Sequence, residues 1–95
     1  MQLSFEWDEN KANENLRKHG IDFTEAKTIF NDPFLLTFFD DEHSETEDRY
    51  LSLGTSSSQR VLLAVHAERK EMIIRIVSCR KATPSERRVY EENKD

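Results

Sequence analysis

Several residue types that would signal particular chemistries are scarce in this chain of 95 residues. Its single cysteine, Cys79, cannot form a disulfide within the chain, so a reducing, cytoplasmic compartment is expected. Two glycines, Gly20 and Gly54, are too few for a glycine-rich phosphate loop. No apolar run approaches the roughly 18 residues of a membrane span, and the first residues do not resemble a signal peptide. The composition therefore predicts a cytoplasmic protein that does not enter the membrane.

The histidines lack the spacing of a metal site. They are His19, His43 and His66, and no pair follows a ligand motif such as HExxH. The acidic segment from Asp40 to His43 offers oxygen ligands for a weakly held hard cation, but a solvated loop explains it better. The chain also lacks a Gly-x-Ser-x-Gly turn for a serine nucleophile. We therefore expect no metal and no cofactor.

Charge is distributed unevenly along the chain. The net charge of −5 argues against a strongly basic nucleic-acid-binding protein. Residues 39–48 contain six acidic residues and no basic ones: Asp40, Asp41, Glu42, Glu45, Glu47 and Asp48. In residues 69–88, Glu71 and Glu86 are outnumbered by seven cations: Arg69, Lys70, Arg75, Arg80, Lys81, Arg87 and Arg88. The pattern predicts one basic face on an acidic protein.

The first element predicted is a half-buried strand, because polar and apolar side chains alternate over residues 2–7. Asp8 is typical of a helix N-cap, and the helix is expected from about Glu9 to His19, with Gly20 as its stop. The apolar stripe is predicted to contain Trp7, Ala12 and Leu16. The polar stripe is predicted to contain Lys11, Asn15 and Lys18.

A second helix is predicted from the capping box Asp22-Phe-Thr-Glu25 and ends at Asn31-Asp32-Pro33. An apolar strand over residues 34–39 and an acidic loop over residues 40–47 follow it. Three further strands with short links predict an antiparallel meander: residues 49–55, 60–68 and 72–80.

Thr83-Pro84-Ser85-Glu86 is a strong start for a last helix, which runs to about Asn93. The predicted fold is one α+β domain over residues 1–95. It has an antiparallel sheet, two N-terminal helices and a C-terminal helix.

The cationic last third of the chain fits RNA cleavage without a metal ion. Such a reaction needs a base for the 2′-hydroxyl, cations for the phosphate, and an acid for the leaving 5′-oxygen. Arginine suits the cationic role because its planar group can hold two phosphate oxygens. If the last helix folds back beside the last strand, four residues converge: Arg75, Arg80, Arg88 and Tyr90. The candidates for proton transfer are His66, Lys11, Lys18 and His19.

Each candidate also has a purely structural interpretation. Arg75 can pair with a carboxylate across the sheet, and a histidine such as His66 within a strand is more often structural. Lys18 and His19 end a helix, where positive charge favours the helix dipole without any catalytic role. The last helix, with Tyr90, can equally serve to bind a partner protein.

Motifs along nearly the whole chain resemble those of the BrnT family of toxins. In chain order they are Phe5-Glu-Trp-Asp8, Lys11, Asn15, Lys18-His-Gly20, Phe23-x-x-Ala26, Phe30, Asp32-Pro33, Arg49-Tyr-Leu-Ser-Leu-Gly54, Val65-His66, Arg75-Ile-Val-Ser78-x-Arg80-x-Ala82 and Glu86-Arg-Arg-Val-Tyr90. Because several motifs occur in the family's order, the resemblance is specific.

The resemblance implies a RelE-like fold and a ribonuclease toxin of a type II toxin–antitoxin module. It implies a BrnA-like antitoxin of ribbon-helix-helix type, which neutralises the toxin and through which alone the complex contacts DNA. RelE-like sites use Arg, Lys, Tyr and sometimes His or Glu, without a metal. Carried over, this favours a catalytic set of six residues: Arg75, Arg80, Tyr90, Lys18, His19 and His66. The sequence leaves open whether the protein forms a homo-oligomer.

The net charge of −5 is unusual for an enzyme that must approach RNA. It is reconciled with the resemblance if the acidic loop lies far from the site, or if the protein acts in a ribosomal or antitoxin-bound context. The alternative is a catalytically inactive, toxin-like binding module that acts through protein–protein pairing. The last helix favours that alternative, since Val89 and Tyr90 are its only apolar residues.

Overall fold

A computed structural model describes residues 3–43 and 47–94. Gln2 of the first predicted strand and residues 44–46 of the predicted acidic loop lie outside these ranges. The elements are β1 (Ser4–Glu6), α1 (Glu9–His19), α2 (Phe23–Ala26) with a 3₁₀ continuation (Lys27–Asn31), β2 (Leu36–Phe39), a 3₁₀ turn (Asp41–His43), β3 (Arg49–Thr55), β4 (Val61–Lys70), β5 (Ile73–Lys81) and α3 (Pro84–Lys94). No helix in the described part of the chain is long and apolar enough to cross a membrane.

The strands form one sheet in the order β1-β5-β4-β3-β2. β2 to β5 pair antiparallel, whereas β1 runs parallel to β5, with Phe5 opposite Ile74. The predicted α+β fold with two N-terminal helices and a C-terminal helix is confirmed. The sheet is mixed rather than wholly antiparallel, because the first strand pairs with the last.

The predicted helix caps are present. The Asp8 carboxylate accepts from two backbone N–H groups of the first turn of α1, and Gly20 ends that helix with φ 70°. Asp22 accepts from the backbone N–H of Glu25 at 2.7 Å. At the start of α3, Thr83 N donates to Glu86 Oε1, and Glu86 N donates to Thr83 Oγ1. Local side-chain chemistry therefore sets where the helices begin.

The two faces of the sheet are covered differently. The core face carries Leu62, Ala64 and Ile76, against which buried residues of the α1–α2 region pack: Ile21, Phe23, Ala26 and Ile29. Full burial of an isoleucine, leucine or phenylalanine side chain contributes roughly 1.5–3 kcal/mol. The opposite face, here called the groove face, carries Leu53 and Leu63 and is partly covered by Tyr90 of α3. The rest of the groove face is open.

A bulge in β5 decides which of its residues share a face. Arg80 lies opposite Leu63 and Arg75 opposite Ala67, yet one more residue separates the two arginines than separates their partners. The pairing shifts between Val65 and His66 to absorb that extra residue. Regular alternation would send two residues five apart to opposite faces. The bulge places both arginines on the groove face.

The side chain of Asn15 overturns part of the predicted pattern of α1. Asn15 was expected on a polar stripe, but it is buried, whereas Leu16, expected on the apolar stripe, is 47% exposed. The Asn15 amide donates to the carbonyls of Ile21 and Cys79, and its oxygen accepts from Cys79 N–H. The pairing of β1 with β5 ends at Arg75. Beyond that residue, the backbone N–H and C=O groups on this edge of β5 have no neighbouring strand among the described residues, and the Asn15 amide supplies hydrogen-bond partners for those of Cys79.

Candidate active site

The open part of the groove face forms a depression of about 370 Å³, which we call the sheet groove. Its apolar residues come from the three central strands: Leu51, Leu63, Val65 and Val77. Its polar and charged residues are Asp40, Glu42, Arg49, Ser78, Arg80 and Glu86. An apolar lining with a few converging polar groups is typical of a ligand site.

Arg80 is held at the edge of this groove by the start of α3. Its NH1 and NH2 groups donate to the two carboxylate oxygens of Glu86 at 2.8 and 2.9 Å. This two-bond contact raises the pKa of Arg80 and lowers the pKa of Glu86. Glu86 also accepts from Thr83 N–H. One carboxylate therefore both caps α3 and orients the arginine.

Arg75 shares the groove face with Arg80 but does not line the groove. It lies beside β1, where its NH1 is 3.4 Å from Glu6 Oε2. Glu6 is also 4.0 Å from Nε of Arg69. The cross-sheet carboxylate partner anticipated for Arg75 is thus present, although its side chain keeps 30% exposure.

Arg49 is a groove residue that was not among the candidates predicted from the sequence. It lies opposite Ala67 in the β3–β4 pair, so its side chain is on the same face as that of Arg75. It lines the groove together with Arg80. The available signal was its place in the alternation of β3, two residues before Leu51 and four before Leu53 on one face.

The acidic loop borders the groove rather than lying far from it. Asp40 and Glu42 line it, and Glu86 supplies a third carboxylate. This corrects the expectation that distance would separate the acidic segment from the candidate site. Among the residues that the structure describes, the groove combines two cations with three anions, and neither His19 nor His66 lines it.

His66 lies on the core face, because Val65 takes the groove side of β4. It is 2% exposed, and its Nε2 is 2.7 Å from Ser52 Oγ. Phe30 packs edge-on against the ring and Tyr50 stacks on it. Burial lowers the pKa of His66 to about 4. Its Nδ1 has no partner among the described residues. If the proton is on Nε2, that nitrogen donates to Ser52, and the group without a partner is the acceptor Nδ1 rather than an N–H donor.

Tyr90 is buried under α3 and does not reach the groove. Its hydroxyl donates to Asp32 and lies 2.9 Å from Thr55 Oγ1. Burial and the Asp32 contact raise the pKa of Tyr90. Burial also raises the pKa of Asp32, but hydrogen bonds from Thr55 N–H and Tyr90 outweigh it, so that this pKa is lowered overall. Tyr90 thus pins α3 to the sheet.

Lys18 and His19 lie beside a second depression, the edge cavity, of about 370 Å³. It lies between α1 and the open edge of β5, and Lys11 also lines it. Val77 and Ser78 line both the edge cavity and the sheet groove. This strip of β5 separates the two spaces.

The six predicted site residues thus fall into three locations. Arg75 and Arg80 share the groove face, Lys18 and His19 lie beyond the β5 edge, and His66 and Tyr90 are buried. Arg88, which was expected to converge with them, is exposed and lines neither the groove nor the edge cavity.

The fold and groove define a small α+β domain whose candidate active site lies on the open half of a five-stranded sheet. Residues 7–86 match a family described as "Ribonuclease toxin, BrnT, of type II toxin-antitoxin system". That range is well over half of the chain, so the chain belongs to the BrnT family of ribonuclease toxins. The predicted family resemblance is confirmed.

Comparison with solved structures agrees on the fold. The chain is similar to the Brucella abortus ribonuclease toxin BrnT, whose crystal structure was determined at 1.1 Å. The TM-score is 0.66 at 19% identity, over 86% of this chain and 99% of that chain. At this identity the likeness shows a shared fold. No curated protein matches the chain.

Proposed function

We propose that this chain is an endoribonuclease that cleaves RNA in the sheet groove without a metal ion. The observation that carries the proposal is that Arg49 and Arg80 line one depression together with three carboxylates. Family membership supplies RNA as the substrate class. The groove supplies cations and a base, which are two of the three parts such a reaction needs.

The arginines bind and neutralise the scissile phosphate. Arg80 already presents both NH1 and NH2 to a carboxylate, and a phosphate can accept the same two-bond contact. Arg49 approaches from the neighbouring part of the groove. Arg75, farther along the same face, contacts a flanking phosphate.

Glu86 is the proposed general base for the 2′-hydroxyl. In the free protein it is a weak base, because the Arg80 contact is the largest cause of its lowered pKa. When a phosphate takes over the Arg80 contact, that cause is removed and the carboxylate becomes more basic. Substrate binding thereby activates the base at the place where it is needed.

The proton for the leaving group comes from the edge cavity. Lys18 and His19 line that cavity, and the strip of Val77 and Ser78 separates it from the groove. An RNA strand that crosses this strip places its leaving 5′-oxygen near those side chains. The 2′-oxygen forms a bond to phosphorus, and the bond from phosphorus to the 5′-oxygen breaks. The products are a 2′,3′-cyclic phosphate and a 5′-hydroxyl.

His66 and Tyr90 act as positioning residues in this scheme. His66 packs behind β4 between Phe30 and Tyr50. Tyr90 fixes α3, and with it Glu86, relative to the sheet. Neither side chain touches the substrate.

The partner proposed for this toxin is a BrnA-like antitoxin of ribbon-helix-helix type, through which alone the complex contacts DNA. Membership of a type II toxin–antitoxin family supports an antitoxin partner. Co-expression with the neighbouring reading frame tests it. A small basic protein that co-purifies and restores growth supports the pairing, and its absence contradicts it.

Cleavage is tested with purified protein, single-stranded RNA and a chelator. The wild type is expected to produce fragments with 2′,3′-cyclic phosphate ends, and Arg80→Ala to lose most of that activity. Arg88→Ala is the matched control, because it removes an exposed arginine of α3 that does not line the groove. Thermal unfolding of each variant shows whether the protein remains folded. A wild type that neither cleaves RNA nor arrests growth overturns the proposal in favour of an inactive binding module.

A further inference from the structure

A cationic surface separate from the sheet groove lies beside α3 and the ends of β4 and β5. This distal cavity has a volume of about 390 Å³ and nine lining residues. Within residues 3–43 and 47–94, its charged lining residues are Arg60, Lys81, Arg87, Lys94 and the anion Glu91. The described lining of the sheet groove, by contrast, has more anions than cations. On this acidic protein, the distal cavity is the described surface that most favours a polyanion.

Two of the cations are held in place by the surrounding structure. Arg60 donates to both carboxylate oxygens of Glu25 at 2.8 and 2.7 Å, and that ion pair fixes its guanidinium at the wall. The Lys94 ammonium lies 5.5 Å from the ring centre of Phe34 and 5.6 Å from that of Tyr90. A positive charge over aromatic faces is stabilised there, so this side of the cavity is preorganised.

The other two cations are available to a ligand. Lys81 and Arg87 are exposed. Within residues 3–43 and 47–94, neither side chain has a hydrogen-bond or ion-pair partner. An incoming anion therefore has no internal carboxylate to displace at these positions, unlike at Arg80, which Glu86 holds.

Two consecutive residues of β5 connect the distal cavity with the sheet groove. Arg80 and Lys81 are consecutive residues of β5, and consecutive side chains of a strand point to opposite faces. Arg80 lines the groove, and Lys81 lines the distal cavity. One chain of phosphates that passes over the end of β5, beside the start of α3, can contact both.

We propose that the distal cavity binds the phosphate backbone of the RNA substrate outside the scissile step. The inference rests on the proposed function for the identity of the polyanion as RNA. Lys81 and Arg87 bind flanking phosphates, and Lys94 adds positive charge beside them, whereas the charge of Arg60 is offset by Glu25. This explains how a protein of net charge −5 approaches RNA even though carboxylates line its groove.

The test measures binding separately from cleavage. The probe is a fluorescent single-stranded 2′-O-methyl oligoribonucleotide, which has no free 2′-hydroxyl and cannot be cleaved by the proposed route. The Lys81→Gln/Arg87→Gln variant is compared with Lys27→Gln/Arg88→Gln. The control pair removes the same charge from exposed positions that do not line the cavity. Affinity is measured over a range of salt concentrations.

The Lys81/Arg87 variant is expected to bind roughly tenfold more weakly at low salt. Its slope of log affinity against log salt should be shallower by about 0.7 for each phosphate that the variant no longer neutralises. The control pair should keep the wild-type slope. In cleavage assays, the same variant should raise KM for long RNA and leave kcat unchanged.

Two results overturn the inference and leave the proposed function standing: a Lys81/Arg87 variant whose salt slope equals that of the control, or a glutamate-rich peptide that binds as tightly as the oligonucleotide. Conversely, if the wild type binds the oligonucleotide through these residues but cleaves no RNA, the inference holds and the proposed function fails.

Discussion

Asn15 on α1 hydrogen-bonds to both backbone polar groups of Cys79 on β5. Its Nδ2 lies 2.8 Å from the Cys79 carbonyl oxygen, and its Oδ1 lies 3.0 Å from the Cys79 nitrogen. The amide thus takes the place of a neighbouring strand at the edge of β5 that β1 does not reach. Because this edge separates the groove from the edge cavity, the contact also orders the candidate active site.

Replacing Asn15 by leucine is therefore expected to destabilise the protein, although leucine is the better helix former. The variant leaves a buried N–H and two carbonyls without partners, at a cost of about 1–3 kcal/mol for each unsatisfied group. Urea unfolding measures the decrease in stability. Asn13→Leu, at an exposed position of the same helix, is the matched control and should change stability little. Equal stability of the two variants contradicts the role assigned to Asn15.

The buried histidine makes stability depend on pH. The pKa of His66 is lowered from 6.5 to about 4 in the folded protein, so the unfolded chain takes up a proton at a higher pH than the folded one. The stability that the neutral ring contributes is present above pH 6.5 and is lost as the pH falls towards 4, by roughly 3 kcal/mol in total. The free energy of unfolding, measured in urea between pH 4.5 and 6.5, should decrease with falling pH in the wild type and in His19→Gln. This decrease should be absent in His66→Gln. A slope that survives in His66→Gln refutes the assignment.

At lower pH, the carboxylate of Glu25 dominates the pH dependence of stability. The contact with Arg60 lowers the pKa of Glu25 from 4.5 to about 2, and Ser56 donates a further hydrogen bond to it. This lowered pKa contributes stability above pH 4.5 that is lost as the pH falls towards 2. Glu25→Gln should reduce stability at neutral pH by about 1–3 kcal/mol and flatten the acid limb of the unfolding profile. Glu14→Gln, whose partners lie 3.8–4.0 Å away on the exposed face of α1, should leave that limb unchanged.

Local signals in the sequence predicted the elements well and the site only in part. The caps at Asp8, Asp22 and Thr83 depend on residues within three positions of each other, so the sequence shows them directly. The parallel pairing of β1 with β5 depends on residues at opposite ends of the chain, and periodicity carries no information about it. The family resemblance implied a RelE-like α+β fold, but the predicted sheet was wholly antiparallel, so the parallel pairing was not foreseen.

The site residues illustrate the same limit. Arg75 and Arg80 share a face because of the β5 bulge, which no spacing rule predicts. Tyr90 was expected near them, but its side chain is buried and its hydroxyl contacts Asp32 and Thr55 instead. Arg49 joins Arg80 only through the register of three strands. These relationships exist in the folded sheet alone.

Tyr90→Phe separates a positioning role from a catalytic one. The variant removes the hydroxyl that contacts Asp32 and Thr55, and a decrease of about 1–3 kcal/mol in stability is expected. RNA cleavage per folded molecule, measured well below the unfolding temperature, should stay within about threefold of the wild type. Tyr50→Phe is the control for removal of a hydroxyl elsewhere in the sheet. A Tyr90→Phe protein of normal stability with little cleavage activity would instead place the hydroxyl in the chemistry.

Glu86→Gln tests the proposed base directly. Glutamine keeps the size of the side chain and a carbonyl oxygen for the Thr83 N–H, but it cannot accept a proton from the 2′-hydroxyl. Removal of a general base typically lowers kcat by about 10²–10⁴-fold, while binding of the uncleavable oligonucleotide should persist because Arg80 is released from its ion pair. Glu91→Gln, on the distal flank of the same helix, should retain kcat. If Glu86→Gln cleaves RNA at the wild-type rate, the base is another carboxylate, and Glu42→Gln is the variant to measure next because Glu42 lines the same groove.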